Sequence, residues 1–123
     1  MKKKKNYYFD AEIAPSAVNI DFFEKINLLA PFGSGNPEPR FIIKNVKLVN
    51  SKIVAEKHIK IVLIGSDTTT LKGISFNSVE TELGSYLLKK SIKSFDIAGK
   101  LSLNEWRGSK NVEFIIDDIS VIK

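Results

Sequence analysis

Pro31-Phe32-Gly33-Ser34-Gly35-Asn36-Pro37-Glu38-Pro39 separates two kinds of pattern in this chain. Upstream of it, Phe22, Phe23, Ile26, Leu29 and Ala30 recur at helical spacing and form one apolar stripe. Asn19 is a good N-cap for that helix, and Asp21 falls in its first turn, where the helix dipole favours an anion. Pro31 and Gly33 end it. The connector is stiff: Pro31, Pro37 and Pro39 fix backbone angles, remove donors and push the preceding residue toward extended conformations. Gly33 and Gly35 are expected to supply angles that other residues resist.

Downstream the pattern is β. Residues 41–54 are long, rich in Ile and Val, and poorly phased, as expected of a strand that curls and changes sides. Residues 58–64 alternate cleanly, with Ile59, Ile61 and Leu63 on one face and His58 and Lys60 on the other. Gly65-Ser66-Asp67-Thr68 is a turn, and 70–76 a third strand. Residues 79–91 read as a helix with Leu83, Leu87 and Leu88 on its buried side. A fourth strand over 94–103 turns Phe95, Ile97, Leu101 and Leu103 inward. A polar connection over 104–111 precedes a fifth strand over 112–121, where Asp117-Asp118 breaks the alternation and predicts a bulge. Residues 7–13 add a short strand that Ala14-Pro15-Ser16 ends. Three strands, a helix and two strands is the order of an OB-fold, a five-stranded Greek-key barrel with one helix between strands three and four. The expected architecture is therefore mainly β. A basic tail, strand, helix and connector occupy 1–39, and the OB-fold domain 40–123.

The bulk properties agree with one domain of 123 residues, long enough to bury an independent core. With no cysteine, a disulfide framework and thiolate metal sites are excluded, which suits a reducing cytoplasm. No apolar run approaches the ~20 residues of a membrane span. Met1-Lys2-Lys3-Lys4-Lys5 lacks the apolar stretch of a secretory signal and reads either as a solvated basic terminus or as a tail touching phosphate. The net charge of +5 and a pI near 9.4 suit a polyanionic partner.

The run from Leu29 through Pro31-Phe32-Gly33-Ser34-Gly35-Asn36-Pro37-Glu38-Pro39 to Phe41 resembles the junction into the C-terminal OB domain of the RecJ family of single-stranded-DNA-specific 5′-to-3′ exonucleases. Collinear matches follow at His58-Ile59-Lys60, Gly73-Ile74-Ser75-Phe76-Asn77, Asn104-Glu105-Trp106-Arg107-Gly108 and Ile115-Ile116-Asp117-Asp118-Ile119. Asp10-Ala11-Glu12-Ile13 also fits, so the resemblance covers nearly everything after the lysines. It implies a catalytic DHH core elsewhere, in which Asp and His hold manganese or magnesium. This chain has one histidine, His58, and no Asp-His-His triplet. It is expected to be the C-terminal piece alone, with no metal or cofactor of its own and no nuclease activity by itself.

The candidate nucleic-acid contacts are Lys60, Lys72, Phe76, Asn77, Lys100, Trp106, Arg107 and Lys110. Lysines opposite apolar strand positions can track a phosphate backbone, and exposed aromatic rings can stack on bases. Trp106 and Arg107 fall between strands four and five, a region OB-folds use for ligands. The alternative is that the indole packs over a barrel end while Arg107 pairs with Glu105 or a carbonyl. Each lysine taken singly reads first as solvated surface, while as a group they fit a sequence-independent electrostatic groove. His58 lacks the companions of a metal site and is expected to make a strand-edge hydrogen bond or a phosphate contact. Asp117 and Asp118, adjacent on a strand, face opposite ways and form no acid–base pair. The connector Pro31, Phe32, Gly33, Gly35, Asn36, Pro37, Glu38 and Pro39 lacks the Lys-Ser/Thr ending of a phosphate loop and is expected to dock domains.

The expected function is sequence-tolerant binding of single-stranded DNA, as an accessory domain in repair and recombination. A protein-interaction module docking on a separate DHH-domain chain is the competing expectation, followed by a decayed remnant without activity. No membrane partner is expected.

Overall fold

The computed structural model describes residues 10–33, 35, 38–89 and 94–121. The lysine tail and most of the first expected strand lie outside these described residues. What remains of that strand is β1 (Asp10–Glu12), followed by a 3-10 turn over Pro15–Ala17 and helix α1 (Ile20–Asn27). The barrel strands are β2 (Arg40–Val54), β3 (His58–Ile64), β4 (Thr70–Ser75), β5 (Phe95–Trp106) and β6 (Ser109–Val121). Helix α2 (Glu82–Leu88) lies between β4 and β5. The strand order β1-β2-β3-β4-β6-β5 closes through a second pairing of β2 with β5. This is the five-stranded OB barrel, with β1 added in parallel beside the start of β2.

The poor phasing of β2 has a physical cause. The strand pairs with β5 at one end and β3 at the other, and each ladder slips once. One slip falls between Ile43 and Val46, where Asn45 takes φ 58° and its N–H donates to Asp96 Oδ1 at 3.0 Å. The other skips Val49, which is left 58% exposed. The bulge expected near Asp117 is also present: Ala98 faces Asp118 and Gly99 faces Ile116, so Asp117 is the unpaired extra residue. There its carboxylate accepts from the Arg40 guanidinium. Gly99 is required at this point, because a Cβ would sit 1.8 Å from the Ile115 carbonyl oxygen.

Ile43, Ile59, Leu63, Phe95, Ile97 and Phe114 fill the barrel at 0–1% exposure. Leu87 of α2 joins them at 0%, with Leu83 and Leu88 packed at the margin as their spacing predicts. The helix is shorter than the expected 79–91. The Val79 N–H donates to the Lys57 carbonyl rather than into a helix, and Thr81 caps the first turn by accepting from the Gly84 N–H. The backbone is already extended at Lys89.

Helix α1 begins as expected, with Asn19 Oδ1 accepting from the Phe22 N–H at 2.9 Å. Phe22, Phe23 and Ile26 pack against the core, and Phe22 meets Phe41 with ring centroids 5.5 Å apart. Leu29 and Ala30 do not extend the stripe. The helix ends at Asn27 through short i→i+3 bonds, because Pro31 has no N–H to offer the Asn27 carbonyl. Leu28 and Leu29 are left 83% and 59% exposed.

The polar connection expected over 104–111 is a paired hairpin instead. β5 and β6 stay in register to Trp106↔Ser109, and only Arg107 and Gly108 turn, with φ of 51° and 80°. A two-residue turn with both φ positive matches the twist of the flanking strands. The polar residues misled the reading because a ribbon projecting into solvent needs no apolar face.

Candidate nucleic-acid interface

Side chains at 58, 60 and 62 of β3 point away from the core, since 59, 61 and 63 fill it. Register then fixes their neighbours. Lys60 lies between Lys52 of β2 and Ile74 of β4, and Val62 lies between Asn50 and Lys72. Lys52, Lys60 and Lys72 thus gather on one outer surface. Like charges directly opposite on neighbouring strands destabilise a sheet, so the Lys52–Lys60 pair is a local cost to the unbound fold.

This surface is one wall of an open groove of about 270 Å³. The β5–β6 hairpin forms the other wall, with Asn104, Asn111 and Glu113 lining it. Asn104 and Asn111 are cross-strand partners. Glu113 is the most covered carboxylate of the ion pairs among the described residues, its side chain 13% exposed. Lys60 Nζ approaches it at 4.0 Å.

At the end of the same surface, the Phe76 ring stands 52% exposed and meets the His58 ring edge-on at 5.2 Å. His58 Nδ1 accepts from the Asn77 N–H at 2.9 Å. That bond requires Nδ1 to be unprotonated and leaves the ring proton on Nε2. The Lys57 carbonyl accepts from the N–H groups of Ser78 and Val79, so the β2–β3 turn is strapped to the segment after β4. Asn77 therefore works through its backbone, at φ 52°, to orient His58.

Of the remaining expected contacts, Lys100, Lys110 and Arg107 do not line the groove. Lys100 Nζ lies 3.3 Å from Glu38 Oε1, beside the connector. Lys110 pairs with Glu105 at 3.9 Å on the hairpin, and Arg107 occupies its exposed turn. Trp106 ends β5 with its backbone paired to Ser109, while its indole lies outside the described residues. Asn50, Lys52, Asn104, Asn111 and Glu113 line the groove without being among the expected contacts. Their signal is register: the short turn after Val54 puts Lys52 opposite Lys60, but only once the turn is located.

The connector flanks a second hollow, about 370 Å³, lined by Phe23, Ile26, Phe32, Pro39, Phe41 and Leu103 among others. The Ala30–Pro31 peptide is cis. Asn36 and Pro37 lie outside the described residues. Gly33 and Gly35 do not use the left-handed region, and a Cβ at either meets nothing within 4 Å, so their expected conformational role is not realised. Among the described residues, no three His, Cys, Asp or Glu side chains gather as a metal site, and no helix is long and apolar enough to cross a membrane.

A closed five-stranded barrel with a basic groove between its second and third strands and its last hairpin defines an OB-type domain. The chain belongs to the RecJ OB domain family, whose model matches residues 9–118. It is 30% identical over 112 residues to the single-stranded-DNA-specific exonuclease RecJ of Escherichia coli, covering 89% of this chain and 18% of that protein. The Bacillus subtilis exonuclease of the same name is 31% identical over 106 residues, 85% of this chain and 13% of the relative. The chain thus spans less than a fifth of these relatives. RecJ of Thermus thermophilus, solved with Mn²⁺, superposes with TM-score 0.64 at 24% identity, covering 89% of this chain and 15% of that one. The Mg²⁺ complex gives 0.65 at 22% identity over 93% and 16%.

Proposed function

We propose that this chain binds single-stranded DNA, without strong sequence preference, as the C-terminal accessory domain of a RecJ-like 5′-to-3′ exonuclease acting in DNA repair and recombination in the cytoplasm. The observation that carries the reading is the Lys52–Lys60 pair, with Lys72 beside it in the groove. Glu113 lies 4.0 Å from Lys60 and offsets part of the pair's repulsion, and a polyanion supplies the counter-charge that Lys52 and Lys72 lack in the groove. Phe76 offers a π-face at the end of the same surface, where a base can stack for roughly 1–3 kcal/mol. In this reading manganese or magnesium belongs to the nuclease body, and hydrolysis is not performed here. The test is titration of a labelled single strand across a salt series. Affinity is expected to fall with a slope of about −0.7 per phosphate neutralised, and K52Q/K60Q/K72Q is expected to flatten that slope by about 2. A strand that does not bind at low salt ends the proposal.

A second reading, docking on a DHH nuclease core carried by the same or a separate chain, draws on the other hollow. Leu28 and Leu29, both exposed, fall in sequence between its lining residues Asn27 and Ala30, and Gly33 and Gly35 face open space. Glycine where the fold itself does not demand it leaves room for close approach by another backbone. The two readings are compatible, since the hollows share no lining residue.

A further inference from the structure

We infer that a single strand lies in the groove with its phosphates on the β2–β4 wall and its base edges on the β5–β6 hairpin, where Asn104 and Asn111 contact them. This rests on the binding reading above and adds the orientation of the strand. The groove is electrically two-sided: Lys52, Lys60 and Lys72 all belong to the sheet wall, whereas the hairpin lines it with two amides and a carboxylate. A phosphate set against the hairpin meets the Glu113 charge, which is repulsive, and finds there only Lys60, already 4.0 Å from that carboxylate. Set against the sheet it meets three ammonium groups. The opposite edge of the strand then faces the hairpin.

The side chains on that wall are suited to base edges. Each amide carries both donors and acceptors, so it can pair with any base without selecting one. Neither Asn104 nor Asn111 makes a side-chain hydrogen bond among the described residues, and cross-strand pairing sets the two amides side by side. Glu113 has no hydrogen bond there either; Lys60 at 4.0 Å is its one ion-pair partner. Its side chain is partly exposed, and no buried side-chain oxygen among the described residues lacks a partner, so the carboxylate stays within reach of a donor brought by the strand. Along a DNA strand, N–H donors occur on the bases and not on sugar or phosphate.

The experiment compares a labelled mixed-sequence oligonucleotide with an abasic strand of the same length, both titrated over salt. The N104A/N111A variant is expected to bind the base-bearing strand about tenfold more weakly, the abasic strand within about twofold of the unmodified chain, and to keep the salt slope. K52Q/K60Q/K72Q is expected to weaken both strands and flatten both slopes. N104V/N111V, which keeps strand propensity and offers no hydrogen bond, separates a lost amide from a loosened hairpin and is expected to match the alanine pair. Equal weakening on both strands, a flattened slope for the asparagine variants, or no effect on either strand overturns the orientation. If the unmodified chain binds neither strand at low salt, the binding proposal itself has failed, and this inference with it.

Discussion

Ala55 and Glu56, in the β2–β3 turn, show how much a single backbone angle can cost. Both sit at positive φ, 55° and 65°, although each carries a Cβ. That region is disfavoured by roughly 1–2 kcal/mol per residue for ordinary L-amino acids, and hairpins that use it favour Asn-Gly. The strain persists because the turn is over-determined: the Lys57 N–H closes it onto the Val54 carbonyl, and the Lys57 carbonyl accepts from Ser78 and Val79. The A55N/E56G variant is expected to raise stability by about 1 kcal/mol, read as a higher denaturation midpoint with an unchanged slope. An unchanged or lower midpoint would show that the turn is not strained. Asp67, in the next turn, illustrates the opposite economy. The Thr69 N–H donates to its carboxylate and holds that carboxyl below the usual range.

Among the elements, β3 with its neighbours carries the most consequence. Lys52 opposite Lys60 gives stability and binding opposite signs, which a single substitution can expose. K52Q is expected to stabilise the fold by a few tenths of a kcal/mol while flattening the DNA salt slope by about 0.7. Thermal melts and strand titration check the two halves separately; a destabilised K52Q would show that the pair is not repulsive. How much of this was legible in the sequence depended on whether an element buries a face. The β3 alternation and the apolar spacing of α2 pointed at the core and were readable. Leu29 continued the apolar spacing of α1, but the backbone could not follow, because Pro31 removes the next donor. The β5–β6 ribbon hid its pairing behind Asn104, Glu105, Lys110 and Asn111, which have no core to face. The groove was half legible for the same reason. Lys60 and Lys72 announce themselves by alternation, whereas Lys52 needs the turn register, and Lys100, equivalent to them in sequence pattern, lies beside Glu38 instead.

In the molecule as a whole the hairpin is a shared partition. Leu103 and Asn104 are consecutive on β5 and so face opposite ways. Leu103 lines the hollow beside α1 and the connector; Asn104 lines the lysine groove. One side is largely apolar, and the exposed Leu28 and Leu29 fall in sequence between its lining residues Asn27 and Ala30; the other is lined by lysines and amides. The chain spans less than a fifth of its relatives, and an exposed apolar face is suited to contact with another protein surface. The L28D/L29D variant tests this separation. Both leucines are exposed and outside the barrel core, so the melting midpoint is expected to stay within about 0.5 kcal/mol of the unmodified chain. Affinity for a single strand at fixed salt is expected to be retained within about twofold, because the groove is untouched and the two added charges are screened beyond about 10 Å. Co-elution with a RecJ-type DHH core is expected to be lost, because two carboxylates would have to be buried unpaired in the joint. Retained co-elution would remove this surface from the docking proposal. Loss of strand binding with co-elution intact would reverse the assignment of the two faces, and place the nucleic acid beside α1.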